Sequence, residues 1–122
     1  MHYKRIELKV TDQGIHERKI FQGVKIFSRS TLSKDQKSIL TQKIYLTPKQ
    51  NIVYYQRTDV NYDQNWYHHK DYYELAFDQL DRETVFKVCR YFDELSPFLE
   101  NELLEKLKEK QSAGKFFEKL DI

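Results

Sequence analysis

The spacing of apolar residues changes near Asp81, and this change constrains the fold more than any other feature of the chain. Before it, apolar and polar residues alternate, as Ile6, Leu8 and Val10 do, which is typical of half-buried β-strands. After it, apolar residues recur at a helical period. The sequence therefore predicts a single α+β domain, with a sheet within about residues 1–80 and helices within about residues 81–122.

The alternation predicts an antiparallel meander of about five strands. Turn-forming residues separate the first four strands, and connections this short make neighbouring strands antiparallel. The predicted strands are Arg5–Val10, Lys19–Arg29, Ile39–Thr47, Ile52–Thr58 and Tyr72–Phe77.

Two to three helices are expected to pack on one face of this sheet. The first begins at Asp81, a good N-cap, and its apolar stripe runs from Val85 to Leu95. The second begins at Ser96-Pro97, and Ser112 caps a short third helix. The residues expected to face the helices are Ile6, Leu8, Val10, Val24, Ile26, Leu40, Ile44 and Leu46.

The net charge of +2 conceals a division of the chain into a basic and an acidic half. Residues 1–61 hold 12 Lys and Arg against 5 Asp and Glu, a balance of +7. Residues 62–122 hold 9 against 14, a balance of −5. Either the strand half presents an open basic face, or the two halves neutralise each other within the fold or between subunits.

The face of the sheet opposite the helices is predicted to be basic and aromatic. Basic side chains between aromatic rings can follow a phosphate backbone while bases stack on the rings, so this face is a candidate polyanion surface. In the alternative, the rings and lysine stems pack on one another across the strands. The residues are Arg5, Lys9, Lys25, Arg29, Lys43, Tyr45 and Arg57.

A polar and aromatic segment between the fourth and fifth predicted strands has the composition of a binding loop. In the alternative, its rings fold back over the end of the sheet as a second core. Adjacent histidines on a strand point to opposite faces, so a shared metal ion is not expected there. The candidate residues are Tyr62, Trp66, Tyr67, His68 and His69.

Composition argues against several classes of protein. The one cysteine, Cys89, forms no internal disulfide and is expected to be a buried, inert thiol. No apolar run approaches the roughly 18 residues of a membrane span, and charges interrupt the N-terminus where a secretory signal would be apolar. Three glycines are too few for a phosphate-binding loop. We therefore expect a cytoplasmic, non-enzymatic protein without a cofactor or a metal site.

The last five residues, Glu118-Lys119-Leu120-Asp121-Ile122, match the C-terminal signature of the EXLDI family of small bacterial proteins. The turn Thr47–Asn51 followed by Ile52–Tyr55 also resembles the central hairpin of that family. The resemblance implies a bacterial, cytoplasmic origin and no particular activity. It singles out the motif residues Glu118, Leu120, Asp121 and Ile122.

Two roles for this C-terminal motif remain open. Its apolar residues can fill a groove in the domain, or the motif can serve as a hook that a partner captures. With no catalytic constellation in the sequence, the leading hypothesis is a binding module for a protein partner or for a second copy of the chain. The alternative is a nucleic-acid-binding module that uses the basic sheet face, and no membrane is expected among its partners.

Overall fold

In a computed structural model, the described residues (3–61, 84–114 and 116) form an antiparallel sheet of five strands, a 3-10 helix and one α-helix. The strands lie in the sheet in the order in which they follow one another along the chain. The elements are β1 (Lys4–Asp12), β2 (Ile15–Leu32), β3 (Ser38–Leu46), β4 (Ile52–Val60), β5 (Val85–Cys89), the 3-10 helix (Phe92–Leu95) and α1 (Asn101–Ser112).

The first four strands are connected by turns at the predicted positions. Gln13 and Gly14 both have positive φ (50° and 81°), as in the two-residue hairpin turns whose twist matches that of the flanking strands. Gln50 has a φ of 67°, and its amide donates to the Thr47 carbonyl oxygen at 2.9 Å. The four strands predicted before residue 60 and their antiparallel pairing are confirmed.

The long strand β2 has two different partners. Its residues 15–23 pair with β1, and its residues 24–32 pair with β3. Gly23, the last residue paired with β1, is buried, and a Cβ atom there would lie 2.9 Å from the ring of Phe21 and 3.2 Å from the carbonyl oxygen of Leu46. Gly23 thus allows a close approach at the point where β2 changes partner.

The β1–β2 ribbon, which consists of β1 and residues 15–23 of β2, covers one side of the sheet. Leu8 and Val10 of the ribbon are buried in one cluster with Tyr45, Val53 and Tyr55 of β3 and β4. The phenol of Tyr55 donates a hydrogen bond to the carbonyl oxygen of Lys9 at 2.7 Å. We call this the ribbon side of the sheet.

The opposite side, the helix side, carries the larger core. Residues of β3, β4 and β5 pack there against the 3-10 helix, the turn that follows it and α1, and the cluster is almost fully buried. Its buried members are Ile44, Leu46, Ile52, Tyr54, Cys89, Phe92, Leu95, Leu99, Leu104 and Leu107. Both sides of β3 and β4 are therefore covered along part of their length.

The predicted fold class is wrong in its helices. Val85–Cys89, expected in a first helix, forms strand β5, which pairs with β4 through Ile52 opposite Cys89 and Tyr55 opposite Phe86. A segment of five residues, three of them β-branched or aromatic, fits either period, and pairing with β4 decides the outcome. The 3-10 helix holds the rest of that predicted stripe.

The predicted second helix begins later than expected. Glu100 is the N-cap of α1, and Ser96-Pro97 lies in the preceding turn rather than at the start of the helix. Ser112, the expected cap of a third helix, is the last residue of α1. No helix in the described part of the chain is long and apolar enough to cross a membrane. The predicted strand at Tyr72–Phe77 lies outside the described residues, as does most of the predicted third helix.

The predicted helix-facing set is also wrong, because it divides between the two sides. Ile6, Leu8 and Val10 pack on the ribbon side, whereas Ile44 and Leu46 pack on the helix side. The ribbon folds over the sheet, and the apolar face of β1 then meets the face of β3 that carries Tyr45. Period-2 alternation gives the apolar face of each strand but not the side of the sheet that this face covers.

Candidate functional site

The predicted basic and aromatic face is distributed over three surfaces. Arg5 and Lys9 alternate with the buried apolar residues of β1 and so lie on the outer face of the ribbon, while Arg29 lies on the helix side. Tyr45 is buried beneath the ribbon with 4 % of its surface exposed. The three that remain together on the ribbon side, beyond the ribbon, are Lys25, Lys43 and Arg57.

A bulge in β2 separates Arg29 from Lys25. The register between β2 and β3 shifts between Lys25 and Phe27, so one residue of β2 has no counterpart in β3. Because side chains alternate along a strand, the extra residue moves Phe27 and Arg29 to the helix side, while Lys25 keeps the ribbon side. The predicted grouping of Lys25 and Arg29 on one face is wrong for this reason.

On the helix side, Arg29 belongs to a structural polar network. Its Nε and Nη2 atoms donate to Oε1 of Gln42 at 3.0 and 2.8 Å, and its Nη1 atom donates to Oε1 of Glu100 at 2.5 Å. Gln42, which is 2 % exposed, donates from Nε2 to Tyr54 Oη at 2.9 Å and to the Phe98 carbonyl oxygen at 3.1 Å. Arg29 therefore joins the sheet to the start of α1.

The residues that stay on the ribbon side form a compact polar surface. Opposed residues of antiparallel strands share a side, and Lys43 stands between Ser28 of β2 and Tyr55 of β4. In the next row of that side, Thr41 stands between Ser30 and Arg57. We call the following residues the basic platform: Lys25, Ser28, Ser30, Thr41, Lys43 and Arg57.

The basic platform is open to solvent. Lys25, Ser28, Ser30 and Arg57 are exposed, and Thr41 and Lys43 are intermediate. Hydroxyl groups of three residues therefore lie on the same rows of the sheet as Lys43 and Arg57, and the outer two cations, Lys25 and Arg57, each border a cavity that ribbon residues also line. Hydroxyl, ammonium and guanidinium groups all donate hydrogen bonds, so this surface is suited to an oxyanion.

Positive charges crowd one another on the platform. Partial burial lowers the pKa of Lys43, and the charges of Lys25 and Arg57 lower it further, while Asp59 opposes them. Asp59 is engaged with Arg57, whose Nε atom donates to its Oδ2 atom at 2.8 Å. Among the described residues, the charges that shift the pKa of Lys43 are thus two cations and one carboxylate.

Most other charged side chains in the described part of the sheet form ion pairs with side chains of opposite charge. Glu7 pairs with Arg5 and Arg18 at 3.4 and 3.3 Å, and Glu17 pairs with Lys19 at 2.7 Å. Within residues 3–61, 84–114 and 116, neither Lys25 nor Lys43 has a carboxylate oxygen within 4.0 Å. The platform therefore carries positive charge that the described part of the chain leaves uncompensated.

An apolar edge adjoins the platform. Leu32 of β2 lies opposite Ile39 of β3, which in turn lies opposite Asp59, and this row follows the row that holds Arg57. Leu32 is 46 % exposed and Ile39 is intermediate. The open part of the ribbon side thus combines a basic area with a smaller apolar area.

Sequence reasoning identified the three cations of the platform but missed its hydroxyl groups and its apolar edge. Because of the bulge, the side chains that lie on the ribbon side are those of Ser28, Ser30 and Leu32. In the sequence, the only sign of a bulge in this strand is Gly23, which lies two residues before Lys25. The available sequence signal for the hydroxyl groups was the period-2 spacing of Ser28 and Ser30 in β2 and the presence of Thr41 in β3. Without the register of β2 against β3, that alternation does not place them beside Lys43.

The other predicted sites lie outside the described residues. This holds for the loop candidates Tyr62, Trp66, Tyr67, His68 and His69, and for the motif residues Glu118, Leu120, Asp121 and Ile122. Cys89 is described: it is buried, and burial raises the pKa of its thiol to about 11. The prediction of a buried thiol is confirmed, and its thiolate form is disfavoured near neutral pH.

No protein-family model, curated protein or solved structure matches the chain. Membership of the EXLDI family stays a prediction that rests on the terminal motif.

Proposed function

We propose that this protein is a non-enzymatic binding module and that its basic platform recognises an acidic segment of a protein partner. The observation that carries the proposal is that Lys25 and Lys43, on an open part of the sheet, form no ion pair with any residue that the structure describes. Charge held in this arrangement steers and orients a partner of opposite sign. The burial of much of the remaining sheet in two cores supports a role for the part that stays open.

The mixed character of the surface favours a protein partner over a nucleic acid. Tyr45 and Tyr55, the rings that could stack on bases, are 4 % and 2 % exposed and serve the core instead. Three cations neutralise only about three phosphates, so the gain in affinity from the release of counterions would be small. An apolar edge at Leu32 beside charged groups is typical of a protein interface.

The test is a titration of the full chain with a fluorescent peptide of about twelve residues, rich in Asp and Glu and containing one leucine. We expect binding that weakens as salt concentration rises, because exposed charges are screened. The variant Lys43→Gln should bind more weakly than the wild type. Lys49→Gln, which removes the same charge from an exposed turn, is the matched control and should bind as the wild type does.

Two outcomes would overturn the proposal. One is an affinity for the acidic peptide that is unchanged in Lys43→Gln. The other is tighter, salt-sensitive binding of a single-stranded oligonucleotide that depends on the same lysine, which would assign the platform to a nucleic acid.

A further inference from the structure

We propose that the basic platform binds a phosphorylated serine or threonine side chain of the partner protein, with Lys25, Lys43 and Arg57 around the phosphoryl oxygens. This inference rests on the proposed function and names the group that the platform recognises. It is carried by the placement of three cations and three hydroxyl groups on adjacent strands.

The three cations are placed so that they can meet one small anion. Lys43 is central on β3, Lys25 lies on a diagonal toward β2, and Arg57 lies on a diagonal toward β4. Diagonal neighbours on one side of a sheet are roughly 7–8 Å apart, which long side chains readily span. Three long cationic side chains from three adjacent strands can therefore converge above Lys43.

The number of donors fits a phosphoryl group better than a carboxylate. A phosphomonoester carries a charge of about −1.5 to −2 at neutral pH and has three strong acceptor oxygens, whereas a carboxylate has a single charge and two oxygens. Ser28 beside Lys43, and Ser30 and Thr41 beside Arg57, add hydroxyl donors. Such a donor set is suited to a tetrahedral dianion.

Asp59 contributes to the orientation of Arg57. Its carboxylate accepts a hydrogen bond from Nε of Arg57 at 2.8 Å, which restrains the plane of the guanidinium group. Restrained arginine forks are the usual partners of phosphate oxygens because they donate two parallel hydrogen bonds. The repulsion that Lys25 and Arg57 exert on Lys43 would be relieved more fully by a dianion than by a single carboxylate.

The experiment compares four probes on the full chain: a peptide with one phosphoserine flanked by leucine and glutamate, the same peptide with serine, the same peptide with glutamate in its place, and inorganic phosphate. We expect the phosphopeptide to bind about 10-fold or more tightly than the glutamate peptide, as charge-assisted hydrogen bonds to the additional oxygen imply. Inorganic phosphate alone should bind more weakly than the phosphopeptide, because it lacks the flanking contacts.

Variants and pH give further readouts. Lys43→Gln and Arg57→Lys should each lose most of the preference for phosphoserine, the second because it keeps the charge but removes the fork. Lys49→Gln should keep the preference, and circular dichroism with thermal melting checks that each variant folds. The preference should fall between pH 7.5 and pH 5.5, since a phosphomonoester gains a proton near pH 6.

The outcomes separate this inference from the proposed function. Equal binding of the phosphoserine and glutamate peptides would overturn the phosphoryl assignment and leave the acidic-segment proposal standing. No binding of any peptide would overturn both. Binding of inorganic phosphate as tight as that of the phosphopeptide would show that the site takes the free ion, and would also overturn the assignment to a partner's side chain.

Discussion

The phenol of Tyr55 donates a hydrogen bond to the backbone carbonyl oxygen of Lys9 at 2.7 Å and so connects β4 to β1, two strands that are not neighbours in the sheet. The bond lies where the β1–β2 ribbon folds over the ribbon side, and Tyr55 is 2 % exposed. Together with the apolar packing of Leu8 and Val10, this contact holds the ribbon against the strand that carries Arg57.

Replacement of Tyr55 by phenylalanine should destabilise the fold while leaving its shape intact. The carbonyl oxygen of Lys9 would lose its phenol donor, which costs about 1–2 kcal/mol in the free energy of unfolding. Urea denaturation followed by circular dichroism measures the change. The matched control is Tyr91→Phe, because Tyr91 is 68 % exposed, and equal stabilities of the two variants would contradict this role for Tyr55.

Gly23→Ala should also destabilise the fold. The added methyl group would lie 2.9 Å from the Phe21 ring and 3.2 Å from the Leu46 carbonyl oxygen, and overpacking of this kind typically costs about 1–3 kcal/mol. Thermal and urea unfolding give the magnitude. If Phe21 is the main obstacle, Phe21→Leu should cost less in the Gly23→Ala background than in the wild type, and strictly additive effects would argue against contact between the two sites.

Gln42→Ala should be among the more destabilising single changes in the sheet. It removes the acceptor for Arg29 and the donor to Tyr54 and to the Phe98 carbonyl oxygen, in a network that is buried at Gln42 and Tyr54 and partly buried elsewhere. We expect a loss of about 2–3 kcal/mol, measured by urea denaturation. Gln22→Ala, at an exposed position of β2, provides the comparison, and a similar loss there would show that Gln42 has no special role.

The ion pair of Glu100 with Arg29 predicts a specific pH dependence of stability. The hydrogen bond from Arg29 is the main cause that lowers the pKa of Glu100 below its ordinary 4.5. Since the folded-state pKa is the lower one, this contribution is complete above about pH 4.5 and is lost as the pH falls through the folded-state pKa. The difference in unfolding free energy between the wild type and Glu100→Gln should therefore shrink as the pH is lowered from about 4.5 through the folded-state pKa.

Glu102→Gln, which removes a carboxylate from the exposed first turn of α1, is the control for that comparison. A wild-type advantage over Glu100→Gln that stays constant across this range would contradict the assignment of the pH dependence to the pair.

Cys89 should react slowly with thiol reagents in the native protein. Burial raises its pKa to about 11, so only roughly one thiol in a few thousand is a thiolate at pH 7.5, and the side chain is 6 % exposed. Labelling with a chromogenic disulfide should become rapid only when urea unfolds the chain. A Cys89→Ser, Ala113→Cys double variant, with its thiol at an exposed position, should label quickly without urea, and equal native rates would refute this prediction.

The alternation of single strands predicts much of the sheet but not the way its parts are layered. Strands β1 to β4 follow from local patterns, because the side chains of Ile6 and Leu8 alternate with charges and turn residues separate the strands. Strand β5 does not, since Val85 and Val88 fit a helical stripe equally well until pairing with β4 is known. In the sequence, 36 residues lie between the paired residues Ile52 and Cys89. The spacing of apolar residues within one segment carries no information about a partner strand that far away.

The same limit applies to the candidate site. Lys25, Lys43 and Arg57 lie on one side because of the register between β2, β3 and β4, and the transfer of Arg29 to the other side depends on one extra residue in β2. Likewise, Tyr45 is buried because the ribbon packs over it. The ribbon can do so because β2 approaches its neighbours closely at Gly23, and the spacing of residues in the sequence does not reveal that contact. The sequence predicts that cationic side chains lie on these strands, but it does not predict which residues of other strands lie beside them.

Because of the bulge between Lys25 and Phe27, the register of β2 against β3 decides which side chains of β2 belong to the platform. If Ile26 instead paired with Ile44 in an unbroken ladder, every residue from Phe27 to Leu32 would lie on the other side of the sheet. Arg29 would then join Lys43 and Arg57, while Ser28 and Ser30 would turn toward Glu100 and α1. A one-residue shift in register would thereby add a fourth cation to the platform and remove two of its hydroxyl groups, without altering any residue of the sequence.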